Sequence, residues 1–315
     1  MKVAERKIRN SSTFRAASVI GDYWSTRIVR EALLGADAYS EFAKRIDITN
    51  QTLSARLRSL VQCGCLEKFS PDSQKFGTQR YRLTPMGKDL YAVLFAIKRW
   101  QVVSGSAETF ASLPEDLVHK KCCSNDNVVV ACSCCGEEIH HIDILSEQGP
   151  GAGYELPLGG APQRQALIRS PLKGDSSLVP VGIEGDRWAI LIMACVFWGD
   201  SKFEEFQEDL LIPRHTLTTR LRRLVEEGLL ARVRYQAAPV RYAYQVTAKG
   251  VLFYPVILAL AAYGDKWLDV GRGKPVYLKH QPCGNVTDPQ LRCKKCNAVV
   301  EPDDITSALH CQKSA

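Results

Sequence analysis

Leu53-Ser54-Ala55-Arg56-Leu57-Arg58-Ser59-Leu60 returns further along the chain as Leu217-Thr218-Thr219-Arg220-Leu221-Arg222-Arg223-Leu224. In each copy the leucines fall at i, i+4 and i+7, and Val61 or Val225 follows at i+8, so the stretch is one apolar stripe of a helix. Thr49 stands where an N-cap belongs, and Pro213 in the second copy suits a first helical turn. Gly64 and Gly228 stop the two helices.

The repeat extends outward from these helices. Gly21-Asp22-Tyr23-Trp24 recurs as Gly185-Asp186-Arg187-Trp188, and Tyr81-Arg82-Leu83-Thr84-Pro85-Met86-Gly87 as Tyr244-Gln245-Val246-Thr247-Ala248-Lys249-Gly250. A period this long is a domain duplication, not a solenoid. Each copy reads helix, helix, helix, hairpin, helix. In the first, Ile28 to Leu34 and Tyr39 to Ile46 precede the Leu/Arg helix, and Leu66–Ser70 with Gln79–Leu83 form the hairpin. The second hairpin is Leu229–Tyr235 with Val240–Val246. Long apolar helices, Thr84–Val103 and Thr247–Leu268, close the copies. Trp24 and Trp188 are expected in the cores.

The 315 residues include 45% hydrophobic and 24% charged side chains. Such proportions are ordinary for a globular chain. Apolar runs such as Val251–Ala262 are about half the roughly 20 residues of a membrane span, and no apolar core follows the charged N-terminus. A cytoplasmic protein with reduced thiols is expected, despite twelve cysteines. The net charge of +7 is concentrated. Residues 49–82 carry +4 and residues 213–245 carry +5, leaving −2 elsewhere, which suggests two sites for a polyanion.

The ordered set Ile20 to Trp24, Thr52 to Leu60 and Tyr81 to Gly87 resembles the HxlR-type winged helix-turn-helix regulators of bacteria. The second copy matches through Gly185 to Trp188, Leu217 to Leu230 and Pro239 to Thr247. The resemblance implies two tandem winged helix-turn-helix domains, mainly α with small β elements, and the Cys/His spacings add a small zinc-ribbon-like module after each. The expected boundaries are 1–105 for the first winged domain and 106–145 for its Cys/His module. A Gly/Pro-rich linker spans 146–178, the second winged domain 179–270, and the second module with the tail 271–315. Family members work as homodimeric transcription factors, so two fused copies imply a pseudo-dimer on one chain, itself able to pair with a second chain. Thiol-sensing relatives carry a reactive Cys upstream of the Trp. The corresponding positions here are Ser11 and Asp175, so that redox switch is not expected.

A sequence-specific regulator of double-stranded DNA, acting as a repressor, is the expected function. The third helix of such a domain enters the major groove. With the leucines inward, Asn50, Gln51, Thr52, Ser54, Arg56 and Arg58 are expected to face out, and Arg214, His215, Thr216, Thr218, Thr219, Arg220 and Arg222 in the second copy. Asn and Gln suit adenine, and Arg suits guanine. Lys75 and Arg80, and Arg234 and Arg241, would put the hairpins on phosphate or in the minor groove.

His119-x2-Cys122-x9-Cys132-x2-Cys135 is matched gap for gap by His280-x2-Cys283-x9-Cys293-x2-Cys296. Close Cys/His pairs on turns are what tetrahedral zinc requires, and a filled Cys3His site leaves no open position for catalysis. Two structural zinc ions are expected, one per module, with Cys123 or Cys134 able to replace a neighbour. Cys63, Cys65 and Cys195 are expected to be buried, and His140 and His141 have no assigned role. The sequence lacks HExxH, Walker, Rossmann and deaminase signatures, which argues against an enzyme. A winged protein that docks another protein through its zinc modules is the competing class.

Overall fold

A computed structural model of the protein describes residues 8–70, 79–105, 117–123, 127–155 and 186–313. The first repeat opens with β1 (Ile8–Arg9), α1 (Ser12–Ile20), α2 (Tyr23–Leu33), α3 (Tyr39–Arg45) and α4 (Asn50–Gln62). The hairpin β2 (Leu66–Phe69) and β3 (Arg80–Leu83) follows, then α5 (Pro85–Lys88) and α6 (Tyr91–Ser104). The first Cys/His region supplies β4 (Leu117–His119), β5 (Val128–Cys132), β6 (Ile144–Gln148) and β7 (Tyr154–Glu155).

The second repeat supplies α7 (Arg187–Phe197), α8 (Phe203–Leu210), α9 (Arg214–Glu226), the hairpin β8 (Leu230–Gln236) and β9 (Arg241–Val246), α10 (Ala248–Val251) and α11 (Tyr254–Trp267). Its Cys/His region gives β10 (Val276–His280), β11 (Asn285–Thr287), β12 (Pro289–Cys293), β13 (Ile305–Ser307) and α12 (Ala308–Lys313).

Leucine periodicity forms the two helix-turn-helix cores. Leu53, Leu57 and Leu60 are buried with Phe42 and Ile46, and Leu217, Leu221 and Leu224 with Phe206 and Ile212. Thr49 caps α4 by accepting the Thr52 N–H. Pro213 takes the N-cap place of α9 with no side-chain cap. Trp24 and Trp188 are half-buried against the core and not inside it.

Each long closing helix expected from the sequence is two helices. The Thr84 hydroxyl accepts the Gly87 N–H at 3.1 Å and donates to the Gly64 carbonyl at 2.5 Å; Thr247 does the same for Gly250 and Gly228 at 3.0 and 2.6 Å. A Cβ on Gly87 or Gly250 would lie 2.0 or 2.2 Å from the carbonyl oxygen of Cys65 or Leu229, so only glycine fits. Tight three-residue turns, Leu90 N–H to Gly87 O and Phe253 N–H to Gly250 O, then redirect the chain and drive Leu90 and Phe253 into the core. The stretch Ala248–Trp267 is long and apolar enough to cross a membrane, longer than the sequence reading allowed. Here Val256, Ile257, Leu258, Ala259 and Leu260 are buried in protein.

Helix α11 joins the repeats. The Phe253 ring, just before it, meets Trp100 of α6 edge-on at 5.1 Å, and Tyr263 hydrogen-bonds Cys65 at 3.4 Å. Trp267 donates to Asp89 at 2.8 Å, and Gly264 lies so close to α1 that a Cβ would be 2.2 Å from the Ser12 carbonyl oxygen. Asp22 and Asp186 form an antiparallel bridge between the repeats.

The two Cys/His regions are not separate modules. Strand β4 pairs with β13, β5 with β12, and β6 with β10, all antiparallel, so every one of these ladders joins one repeat to the other. Val128 to Cys132 are buried along the β5–β12 seam, where Val130 faces Leu291. Residues 146–148 and 154–155, expected to be linker, are strand: β6 lies on β10 and β7 on β1. The Gly/Pro composition hid them, because Ile144 and Leu145 precede the glycines. Most of the remaining linker lies outside the described residues.

Because the ladders cross, a chain cut at a protease site introduced at residues 165–170 should stay together. Its two fragments are expected to co-elute in gel filtration without denaturant and to separate only in denaturant. Fragments that part in native buffer would contradict the crossed pairing.

Candidate nucleic-acid interface and metal centres

The x2 spacings place His119 and Cys122, and likewise each other donor pair, on one tight turn, with Cys122 and Cys123 N–H groups returning to the His119 carbonyl. The crossed ladders then decide which pairs meet. His119 and Cys122 face Cys293 and Cys296, while Cys132 and Cys135 face His280 and Cys283, and in each set the donor atoms all lie within 4.8 Å of one another. All eight expected ligands are brought together, but the expected grouping of four per repeat is wrong: each site takes two donors from each repeat.

Tetrahedral bonds of about 2.3 Å to sulfur and about 2.0–2.1 Å to nitrogen need donor edges of about 3.5–3.8 Å. The first set shows Cys122 Sγ 3.4 Å from His119 Nδ1 and 3.4 Å from Cys293 Sγ, with Cys296 Sγ 3.5 Å from His119 Nδ1. In the second, His280 Nδ1 is 3.4 Å from both Cys135 and Cys283 Sγ, and Cys132 and Cys283 sulfurs are 3.9 Å apart. These clusters can hold a metal ion through Nδ1 and three sulfurs. Burial opposes ionisation of Cys132, but hydrogen bonds from Thr287 and from the backbone at Cys135 and Cys134 hold its thiol down at about 6. Cys293, its counterpart, is lowered by the equivalent backbone bonds from Cys296 and Lys295 against the same burial.

Cys123 is not a substitute ligand. It is bonded to Cys311 in a disulfide that joins the two repeats beside the β4–β13 ladder, contrary to the expectation that all thiols are reduced. Cys134 is exposed and free, Cys65 and Cys195 are buried, and Cys63 is half-buried. The His141 ring meets Phe197 at a tilt, with centroids 5.1 Å apart, and Tyr254 edge-on at 4.9 Å.

On α4, Asn50, Gln51 and Arg58 are exposed, and Thr52 and Ser54 are half-exposed. On α9, Arg214, His215, Thr218 and Arg222 are exposed, and Thr216 and Thr219 are half-exposed. Thr218 and Thr219 bond back to the Arg214 and His215 carbonyls, and Arg222 lies 3.8 Å from Glu226. Arg234 and Arg241 are exposed on the second hairpin, where Arg234 donates to the Gln236 and Ala237 carbonyls. Arg80 is held by Asp37 at 2.9 Å, and Lys75 lies outside the described residues.

Of two arginines expected to face outward, Arg56 is buried and Arg220 is half-exposed. Arg56 turns inward to Asp22 at 3.0 Å and is 9% exposed, and Arg220 pairs with Asp186. Each follows a buried leucine, Leu53 or Leu217, by one helical turn, on the inner flank of the stripe. The same aspartates cap the N-termini of α2 and α7: Asp22 accepts the Ser25 N–H, and Asp186 accepts those of Trp188 and Ala189. Since Asp22 and Asp186 are also bridged to each other, both recognition-type helices are tied to one point between the repeats. Sequence reasoning saw these aspartates as part of the repeat without giving them a task. It also missed Tyr39, whose hydroxyl donates to the Asn50 carbonyl at 3.0 Å and lies 3.2 Å from Ser54.

Two expectations follow. The pair Cys122→Ser with Cys296→Ser removes donors from one cluster and should leave about half of the bound metal per chain by elemental analysis, whereas Cys122→Ser with Cys135→Ser should remove nearly all of it. Arg56→Ala strands Asp22 and should lower unfolding stability in urea by about 2 kcal/mol, while Arg58→Ala should stay within about 0.5 kcal/mol of the parent.

The HxlR-like helix-turn-helix family matches this chain twice, at residues 19–108 and 183–272. Rv3095 of Mycobacterium tuberculosis, an uncharacterized HTH-type transcriptional regulator, is 37% identical over 134 residues, 42% of this chain and 85% of the relative. Another such regulator, sll1512 of Synechocystis sp., is 32% identical over 90 residues, 28% of this chain and 67% of its own length. Among solved structures, the proposed transcription factor PA1374 of Pseudomonas aeruginosa is 36% identical with a TM-score of 0.29, covering 37% of this chain and 79% of its own. Both Rv3095 and sll1512 are named as HTH-type transcriptional regulators. The chain belongs to the HxlR-like helix-turn-helix family of transcriptional regulators and carries two copies of the family domain in tandem.

Proposed function

We propose that the protein is a sequence-specific repressor that binds double-stranded DNA as a pseudo-dimer within one chain. Helices α4 and α9 would lie in successive major grooves, with the two hairpins on phosphate or in the minor groove. Asn50, Gln51 and Arg58 would read one half-site, and Arg214, His215 and Arg222 the other, so the operator is asymmetric. Arg56 and Arg220 would act as positioning residues, holding their helices on Asp22 and Asp186. Occupying a promoter in this way blocks polymerase.

The observation that carries this reading is the pair of corresponding helices, each with its own exposed polar and basic face, tied to one bridge between the repeats. Two zinc ions would fill the Cys3His clusters. Zinc suits three thiolates and an imidazole, has no redox chemistry, and with four protein ligands serves structure alone.

Selection from random duplexes near physiological salt should recover a bipartite motif with two dissimilar halves. Arg58→Ala and Arg214→Ala should each weaken binding to it by about tenfold or more, equivalent to at least about 1.4 kcal/mol, and relax base preference in different halves. Loss of preference in the same half for both variants would refute the pseudo-dimer, and no enrichment at any salt would refute DNA binding.

A further inference from the structure

A cavity of about 420 Å³ lies where the repeats meet, between the N-terminal turn of α1, the end of α7, the face of α11 and the edge of the β6–β10 ladder. That volume is in the range of small-molecule sites. We propose that it binds a small aromatic cation.

The walls supply both halves of that chemistry. Phe197, Trp198, Tyr254 and Leu258 line it with flat apolar surface, and Phe197 and Tyr254 are set 5.0 Å apart against His141. Aromatic faces attract a cation held over them, more strongly when water is excluded. Among the described residues the lining includes two carboxylates, Glu147 and Asp265, and no lysine or arginine. Arg15, behind the wall, is bound to Asn10 and Ser12, and Ser12 donates to Asp265 at 2.5 Å. Burial pushes the Asp265 carboxyl up while nearby Lys274 and Arg15 pull it down. On the described wall itself the charged side chains are the two carboxylates, which a protonated amine would pair with and an anion would not.

A further polar atom lacks a partner. Thr13 lines the cavity, is 1% exposed, and its hydroxyl has no hydrogen-bond partner among the described residues. Buried hydroxyls are normally satisfied, and a ligand would satisfy this one only if the wall around Thr13 opened toward it. The occupant would touch both repeats at once, since α1 and β6 come from the first and α7, α11 and β10 from the second.

The probe is tryptamine, compared by calorimetry with neutral tryptophol and anionic indole-3-acetate on the full chain. Tryptamine should bind saturably, about tenfold more tightly than tryptophol, with indole-3-acetate weakest. Asp265→Asn should bring tryptamine down to the tryptophol level, and Ala261→Trp, which fills the cavity, should abolish binding of all three. No saturable tryptamine binding up to about 1 mM, equal binding of the anion, or unchanged binding in Ala261→Trp would overturn the proposal. If Ala261→Trp does not fold, the Asp265→Asn comparison decides. No DNA is present in this experiment, so its result stands apart from the DNA-binding reading.

Discussion

Antiparallel pairing of Val128–Cys132 with Pro289–Cys293 is the contact on which the rest depends. The β strands that follow each winged domain are short, and two-stranded ribbons are marginal in water by themselves. Crossing gives β4, β5 and β6 the partners β13, β12 and β10 from the other repeat and buries the whole run Val128 to Cys132 in one seam. It also sets the donor pairs face to face, so a metal in either cluster ties residues on both sides of the duplication. Tyr91 of α6, just before the first Cys/His region, reaches the Val300 carbonyl in the second at 2.6 Å, extending the same interlock.

The winged domains were legible because their signals are local. Leucine spacing defined α4 and α9, and the repeated Thr-x-x-Gly marked a hydroxyl cap and a glycine pressed against a carbonyl. The eight ligands were legible from the x2 turns. Their grouping was not, since both copies have identical gaps, and spacing along the chain is equally satisfied by a pair's own neighbour or by its equivalent in the other repeat. Arg56 and Arg220 were misplaced for a related reason. Helical position put them at the margin of the buried stripe, and only the distant aspartates Asp22 and Asp186 turn that margin inward. Helix α1 went unread because Ser12, Thr13 and Arg15 are polar yet buried between repeats.

The scaffold is close to two-fold symmetric, but what it presents is not. Corresponding N–H groups of Lys120 and Gln281 donate to corresponding carbonyls of Asp304 and Asp143. Against that regularity, α4 offers Asn50 and Gln51 where α9 offers Arg214 and His215. A single chain permits such divergence, since a mutation in one half is not copied into the other as it would be in a homodimer. The cavity beside α1 is likewise built from unlike parts of the two repeats.

The crossed clusters impose an order on how the molecule comes into being. While the chain is being synthesised, His119, Cys122, Cys132 and Cys135 emerge as two half-sites long before their partners exist. The loop that must close to complete the first cluster runs from Cys122 to Cys293, and closure entropy grows only slowly with such length, so waiting rather than distance is the chief obstacle. During that interval four donors are free to take the wrong metal or one another. A correctly filled pair of clusters therefore certifies that both repeats have been translated and have found each other.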